Sequence, residues 1–236
     1  MPGPELTRRY FLAGGLASCA SPALMSMPAF ADQNLDDPFP LPPFDEKKLP
    51  KEFRRAVVPY PTRHWPGTII INTGARQLFI VLEGQQALRF GCAVGRDGFR
   101  WAGLADVGRK VMWPRWTPPK DMIERSPEKA KWKNGMPGGP DNPLGARALY
   151  LFQNGNDTLY RIHGTNEPLS IGKAVSSGCV RMLNADVIDL YSRVPIGTKV
   201  VVLSADGPIA RLGHAITDPD AAWRQKVRRM AGEPQG

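Results

Sequence analysis

Two short segments are the most informative part of this chain: HGT at 163–165 and SSGCVR at 176–181. A cysteine thiol becomes a good nucleophile near neutral pH when a base lies close to it, and a histidine of pKa about 6.5 is the usual base. Cys179 is therefore the candidate nucleophile, and His163 is the candidate proton acceptor and donor. We expect the backbone N–H groups of Gly178 and Cys179 to stabilise a developing oxyanion, because glycine leaves the approach open and tolerates positive φ.

Other residues in the same segments are candidates for holding a substrate. Arg181 follows the cysteine by two residues, and its planar guanidinium suits a substrate carboxylate; a structural ion pair is the alternative role. Thr165, Asn166 and Ser177 are candidates for lining the pocket, although Ser177 equally suits a role in shaping the turn. A buried structural cysteine beside an unrelated histidine is the alternative for the whole arrangement, and the two intact segments together argue against it.

Together these segments resemble the L,D-transpeptidase (YkuD-like) catalytic domain family, bacterial enzymes that remodel peptidoglycan. The resemblance extends from about 68 to about 203 and includes NPLGAR at 142–147 and YRIHGT at 160–165. It implies a YkuD-like β-sandwich or barrel with one or two short helices and a long loop at the active site. It also implies that Cys179 forms a thioester with a peptide, and that the backbone carbonyl of Gly164 orients His163.

Three functions are compatible with this resemblance. A transpeptidase would attack a tetrapeptide stem, expel the terminal D-Ala and transfer the acyl group to an amine of another stem or of an envelope protein. A thiol hydrolase on the same scaffold, either a carboxypeptidase or an enzyme that releases wall-bound protein, would use water instead. The third possibility is a non-catalytic wall-binding module, which the intact Cys179 and His163 argue against. No motif in the sequence separates the first two functions.

Composition agrees with one mainly β domain and an anionic partner. The 236 residues suffice for a single core, and 24 glycines and 24 prolines punctuate short apolar runs. The formal net charge of +9 suggests an anionic partner, but the basic residues are scattered and no nucleic-acid motif is present. A carboxylate-rich wall polymer fits the charge as well as nucleic acid does, and it fits the predicted location better. Scattered cysteines and histidines do not have the spacing of a zinc site, so we expect no metal and no cofactor. The sequence does not predict an oligomeric state.

The chain divides into four predicted regions. Residues 1–31 have the pattern of a twin-arginine-like export signal, with RR at 8–9, an apolar stretch and AFA at 29–31, which predicts cleavage after Ala31 and a periplasmic location. LASC at 16–19 is the competing signal, which would leave a lipid anchor on Cys19. Proline-rich residues 32–62 predict an extended tether. The catalytic domain is predicted over 63–205, followed by a basic tail at 206–236 that has a helical pattern.

Within the domain, periodicity predicts strands joined by tight turns, one helix and a cover over the site. The alternating residues Leu88, Phe90, Cys92 and Val94 predict a strand with one buried face, so Cys92 should be a free core residue, although a disulfide with Cys179 is conceivable. Residues 114–143 are predicted to cover the site, with Trp113, Trp116 and Trp132 either as walls or closing one end of the core. The remaining predicted elements are a hairpin of 68–73 and 77–82, strands at 111–116, 147–153, 158–163 and 199–203, and a helix over 184–193 capped by Asn184.

Overall fold

The computed structural model describes residues 37–95, 102–176 and 178–203. Within them the chain forms eleven strands and two α-helices, together with short 3-10 turns at Glu46–Lys48, Lys51–Phe53, Pro127–Trp132 and Pro168–Ser170. The helices are α1 (Lys120–Arg125) and α2 (Asn184–Arg193). The strands are β1 (Ala56–Pro59), β2 (Ile69–Asn72), β3 (Gln77–Leu82), β4 (Gln86–Gly91), β5 (Val94–Gly95), β6 (Gly103–Met112), β7 (Arg147–Gln153), β8 (Asn156–His163), β9 (Ala174–Ser176), β10 (Val180–Arg181) and β11 (Lys199–Leu203).

Nine of these strands form one sheet, in the order β1-β4-β3-β2-β11-β6-β7-β8-β10. Neighbouring strands are antiparallel except for the β2–β11 and β8–β10 pairs, which are parallel. Strands β5 and β9 form a separate parallel pair. The prediction of a mainly β fold with short helices is therefore confirmed.

The predicted hairpin lies inside the sheet, between β4 and β11. Strands β2 and β3 pair antiparallel, with Ile69 opposite Ile80, and both are buried. Alternate residues of β2 face opposite ways, so Ile69 and Ile71 enter the main core while Ile70 packs in a second cluster with Phe79. Apolar groups cover both faces at this point, which explains why the strand has a continuous apolar run rather than an alternating one.

Helix α2 covers the main core and has the bounds that the sequence predicts. Its residues Val187 and Leu190 are fully buried in the same cluster as Cys92. The prediction that Asn184 caps this helix is wrong, because the residue before the first helical turn is Leu183. The side-chain oxygen of Asn184 instead accepts hydrogen bonds from the backbone N–H groups of Ala146 and Thr165.

Two further expectations need correction. The strand predicted at 111–116 ends at Met112 and begins at Gly103, because the polar residues of β6 are held by pairing with β7 and β11 rather than by an apolar pattern. Residues 38–62 of the predicted tether are packed against the domain: Leu49 is 4% exposed, and the Phe39 ring lies 4.9 Å from that of Trp113. Strand β1 then joins the sheet beside β4. A few apolar side chains among the prolines are enough to dock the segment.

The predicted export signal at 1–31, with Cys19 and Ala31, and the tail at 206–236 lie outside the described residues, as does Ser177. Within the described part of the chain, no helix has both the length and the apolar character needed to cross a membrane.

Candidate active site

The two informative segments meet at one edge of the large sheet. Strand β10 pairs in parallel with β8, which places Arg181 beside His163 and Val180 beside Ile162. Ile162 and Val180 are fully buried in the main core. Because side chains alternate along a strand, His163 and Arg181 face away from that core, and Cys179 directly precedes β10.

This edge of the sheet forms part of the wall of a cleft of about 470 Å³. His163, Cys179 and Arg181 all line it, together with Asn166 and Glu167 from the turn after β8. The segment 116–136 supplies more than half of the lining residues, which are Trp116, Thr117, Pro119, Met122, Glu128, Lys129, Lys131, Trp132 and Met136. We call residues 114–143 the cover segment.

His163 is a buried, neutral imidazole. Its Nδ1 lies 2.6 Å from the carbonyl oxygen of Gly164, and the residue is 4% exposed. A carbonyl can only accept, so Nδ1 carries the hydrogen and Nε2 is left with a free lone pair. Burial lowers the pKa of His163 to about 4; backbone hydrogen bonds with Gly164 and Leu144 oppose the shift, and the charges of Arg181 and Arg161 add to it.

Cys179 has a pKa shift in the opposite direction. Burial raises the pKa of the Cys179 thiol, while a hydrogen bond with the Arg161 backbone and the charges of Arg161 and Arg181 lower it. Both shifts favour the neutral forms, a thiol on Cys179 and an imidazole on His163. Gly178, just before the cysteine, has φ +127°, a conformation that favours glycine.

The other predicted substrate residues occupy different positions. Arg181 donates to Glu167 Oε2 at 3.0 Å, an ion pair of the kind proposed as its alternative role. Thr165 is buried and does not line the cleft; its hydroxyl accepts from the backbone N–H of Glu167 at 3.0 Å, which shapes the turn. Its neighbour Asn166 does line the cleft.

Sequence reasoning missed the residues that tie the cleft together. Asn142 is fully buried, and its side-chain amide donates to the carbonyl oxygens of Pro114 and Pro137 at 3.1 and 2.8 Å. These contacts fasten the beginning of the cover segment to its end. The only sequence signal was the Asn-Pro-Leu-Gly motif, which is too short to predict such a role by itself.

The cover segment is ordered into short elements. The 3-10 turn Pro127–Trp132 follows helix α1, and Trp116 and Met136, which flank these elements in the sequence, exchange backbone hydrogen bonds. Trp116 and Trp132 line the cleft. Trp113 instead packs in a small apolar cluster with Ala146 and Ile188. The expectation of cleft walls therefore holds for Trp116 and Trp132, and the expectation of packing in the core holds for Trp113.

Cys92 and Cys179 are both free thiols. Cys92 is fully buried in the main core, on the face that the alternation predicts, and burial raises its pKa to about 12. Among the described residues, no group of three or more His, Cys, Asp or Glu side chains is placed to hold a metal ion.

A large antiparallel-rich sheet that presents a cysteine and a buried histidine in one covered cleft defines a class of protein. Comparison with known families agrees: the model of the L,D-transpeptidase catalytic domain (YkuD) matches residues 66–202, more than half of the chain. The chain therefore belongs to the L,D-transpeptidase catalytic domain family.

Individual relatives differ in length from this chain. The probable L,D-transpeptidase YbiS of Escherichia coli is 36% identical over 160 residues, which is 65% of this chain and 48% of that protein. The chain thus spans about half the length of that relative. A candidate L,D-transpeptidase from the ATP synthase subunits region of Fuscovulum blasticum (ORF 5) is 30% identical over 208 residues, covering 84% of this chain and 98% of that protein. A probable carnitine operon oxidoreductase caia from Brucella melitensis has a crystal structure 49% identical in sequence, which covers 67% of this chain and 99% of that one with a TM-score of 0.46.

Proposed function

We propose that this protein is a cysteine acyltransferase that acts on peptidoglycan stem peptides, as an L,D-transpeptidase. The observation that carries the proposal is that Cys179 and His163 line one cleft, with the imidazole oriented by the Gly164 carbonyl. The family membership supports the class of reaction. The roles of individual residues follow from their positions and chemistry.

The first step is acylation of Cys179 by a tetrapeptide stem. As the sulfur attacks the carbonyl carbon of the third residue, the S–H bond breaks and its proton passes to Nε2 of His163. The backbone N–H groups of Gly178 and Cys179 donate to the oxyanion that forms. The C–N bond to the terminal D-Ala then breaks, the leaving amine takes the proton from His163, and a thioester remains on Cys179.

The second step transfers the acyl group to an amine. The amine of another stem, or of a lysine on an envelope protein, attacks the thioester and forms a new C–N bond as the C–S bond breaks. His163 takes a proton from the attacking nitrogen and returns it to the departing sulfur, which restores the neutral pair.

Arg181 is positioned to bind a carboxylate of the donor stem by exchanging its present partner. Its guanidinium is paired with Glu167, whose side chain is 67% exposed and can be displaced at little cost. The side chains of Trp116 and Trp132 limit the access of water to the thioester, which a transferase needs if amines are to compete with water.

The site of action follows from the N-terminal sequence. We propose that residues 1–31 direct export, that cleavage follows Ala31, and that the protein acts in the periplasm. N-terminal sequencing of the exported protein would identify Asp32 as the first residue; a lipid on Cys19 would overturn this part of the proposal.

The proposal is tested by incubating the purified protein with tetrapeptide-bearing muropeptides and an excess of an amine acceptor, followed by mass analysis. We expect a cross-linked product and an adduct on Cys179 that has lost D-Ala. Cys179→Ala should give neither, whereas Cys92→Ala, the matched control at the other described cysteine, should give both.

Other products would point to another function. If tripeptide is the sole product despite excess amine, the protein is a hydrolase. If muropeptides bind without any adduct or product, the protein is a wall-binding module and the catalytic proposal fails.

A further inference from the structure

The cleft contains more charge than the proposed chemistry uses. The 3-10 turn Pro127–Trp132 in the cover segment contributes Glu128, Lys129 and Lys131 to the lining, and residues 141–181 contribute Asp141 and the Glu167–Arg181 pair. Both signs of charge therefore face the space in which a substrate would lie.

Lys129 differs from the other cations of the cleft. Arg181 is already paired with Glu167, and Lys131 is exposed and lies over the Trp132 ring, 5.6 Å from its centroid. Lys129 is half-buried, and among the described residues its ammonium makes no ion pair and no side-chain hydrogen bond. A charge-assisted hydrogen bond to an anion is stronger than one between neutral groups, so an ammonium without a partner in the cleft lining favours an anionic ligand group.

The position of Lys129 selects which carboxylate it can meet. The terminal carboxylate of a tetrapeptide donor lies one residue from the scissile bond, so it must stay close to Cys179 and to Arg181 on the same strand edge. Lys129 lies on the cover segment rather than on that strand edge, so the carboxylate that it meets is a different one from the terminal carboxylate. Its neighbour Glu128 lines the same cleft and has no ion-pair partner among the residues that the structure describes. An ammonium and a carboxylate on one turn match a group that carries both charges.

We propose that Lys129 determines specificity for the donor stem by binding a carboxylate at the side-chain end of the acylated residue. The cleft would then prefer stems whose third residue ends in an amino-acid head group, as in diaminopimelate, over stems whose third residue ends in a simple amine, as in lysine. This inference rests on the proposed acyl transfer at Cys179.

The test compares three tetrapeptide donors: diaminopimelate at the third position, the same residue with its side-chain carboxylate amidated, and lysine. For the wild-type protein, kcat/KM for Cys179 acylation should be at least about tenfold higher with the free carboxylate, the size expected for one charge-assisted hydrogen bond. Lys129→Met should reduce that preference to less than about threefold through a higher KM for the diaminopimelate donor alone. Lys129→Arg should keep most of it.

Lys133→Met is the matched control, because Lys133 belongs to the same segment but is exposed and does not line the cleft. It should leave the preference unchanged. An unchanged rate of Lys129→Met on the lysine donor would show that the variant is folded and chemically competent. A preference that survives in Lys129→Met, or an equal loss on all three donors, would overturn the inference.

Binding measurements separate this inference from the proposed function. Affinities of the three peptides are measured for Cys179→Ala with and without Lys129→Met, where no chemistry occurs. If binding depends on Lys129 and on the side-chain carboxylate but the wild-type protein forms no adduct, the acyl-transfer proposal fails and the carboxylate site stands. If adducts form and neither binding nor rate depends on Lys129, the carboxylate site fails alone.

Discussion

The protonation state of the resting Cys179–His163 pair is set by burial. Desolvation disfavours charge on either group, so it raises the pKa of the thiol and lowers that of the imidazole to about 4. In the proposed mechanism the thiolate therefore forms during the attack, as the proton moves to His163, rather than beforehand. The contact between Nδ1 and Gly164 leaves Nε2 as the atom that would accept this proton.

The lowered pKa of His163 predicts an unusual acid limit for the reaction. An imidazole of pKa about 6.5 would be mostly protonated at pH 5.5 and unable to accept a proton. His163 stays neutral there, so acylation of Cys179 should persist on acidification and fall with a midpoint near pH 4. The measurement is the rate of acyl-adduct formation against pH, with circular dichroism at each pH to confirm that the protein is folded.

His163→Ala provides the control for this profile. It should be slower by roughly a hundredfold or more at neutral pH and should lack the same acid limb. A wild-type midpoint near pH 6.5 would contradict the buried, neutral imidazole.

At the level of elements, the sequence predicts the strands and the helix that have an apolar period of their own, and it misses a strand that is held mainly by pairing with its neighbours. Strands β2, β3, β7 and helix α2 have clear apolar periods, and their predicted bounds agree with the structure to within a residue or so. Strand β6 has a mixed, partly exposed sequence with two glycines, and its extended form depends on hydrogen bonds from β7 and β11. A strand that is supported by its neighbours in this way needs no alternation of apolar and polar residues in its own sequence.

The same limit applies to the cleft. Cys179, His163 and Arg181 could be predicted because they lie in compact motifs with recognisable chemistry. Lys129 and Glu167 could not, because each comes from a turn whose position over the site depends on the folded cover segment and on the bend after β8. Sequence spacing gives no distance between elements that meet only in the folded protein.

Asn184 joins helix α2 to the site and provides a test at this scale. Its side-chain oxygen accepts from the buried N–H groups of Ala146 and Thr165, 3.0 and 3.2 Å away. Asn184→Ala should leave both donors unsatisfied, lower the free energy of unfolding by roughly 2–4 kcal/mol, and slow Cys179 acylation because the turn after His163 loses its anchor. Urea denaturation and adduct-formation rates measure the two effects.

Asn184→Asp keeps an accepting oxygen at the same position and serves as the matched variant. It should recover most of the stability and rate lost in Asn184→Ala. Equal losses in both variants would mean that packing at this position, rather than the two hydrogen bonds, supports the turn.

The N-terminal segment provides a second test. Leu49 packs against Ala93 and Leu183, behind the strand edge that carries Cys179. Leu49→Ala should lower the free energy of unfolding by roughly 2–3 kcal/mol, as expected for a buried leucine and not for a residue of a free spacer. Leu169→Ala, at a position 57% exposed, should change it by less than about 0.5 kcal/mol in the same urea titration. Equal small effects would mean that the segment is not docked in solution.

For the whole molecule, the docked segment and helix α2 bring together a group of charges that does not line the cleft. Asp186 and Asp189 on the helix are both buried, and Asp189 pairs with Arg193 and Arg55 at 2.8 and 3.6 Å. Asp186 has a buried oxygen that lacks a hydrogen-bond partner in the described structure. Burial raises its pKa to about 7; the nearby charges of Glu46 and Asp189 add to this effect, and that of Arg55 opposes it.

This raised pKa predicts how the stability of the whole protein depends on pH. An aspartate in an unfolded chain has a pKa of about 3.9, so between that value and about 7 the folded protein binds a proton that the unfolded chain does not. The stability that Asp186 contributes is therefore present at pH 4 and is lost as the pH rises through 7. Asp186→Asn removes this titration, so its free energy of unfolding relative to wild type should increase by roughly 2–4 kcal/mol between pH 4.5 and pH 8.

The exposed Asp121, whose carboxylate pairs with Arg125 on α1, provides the control, and Asp121→Asn should follow the wild-type profile. Urea denaturation at the two pH values gives these differences directly, and a constant difference between Asp186→Asn and wild type would mean that Asp186 is already ionised in the folded protein at pH 4.5.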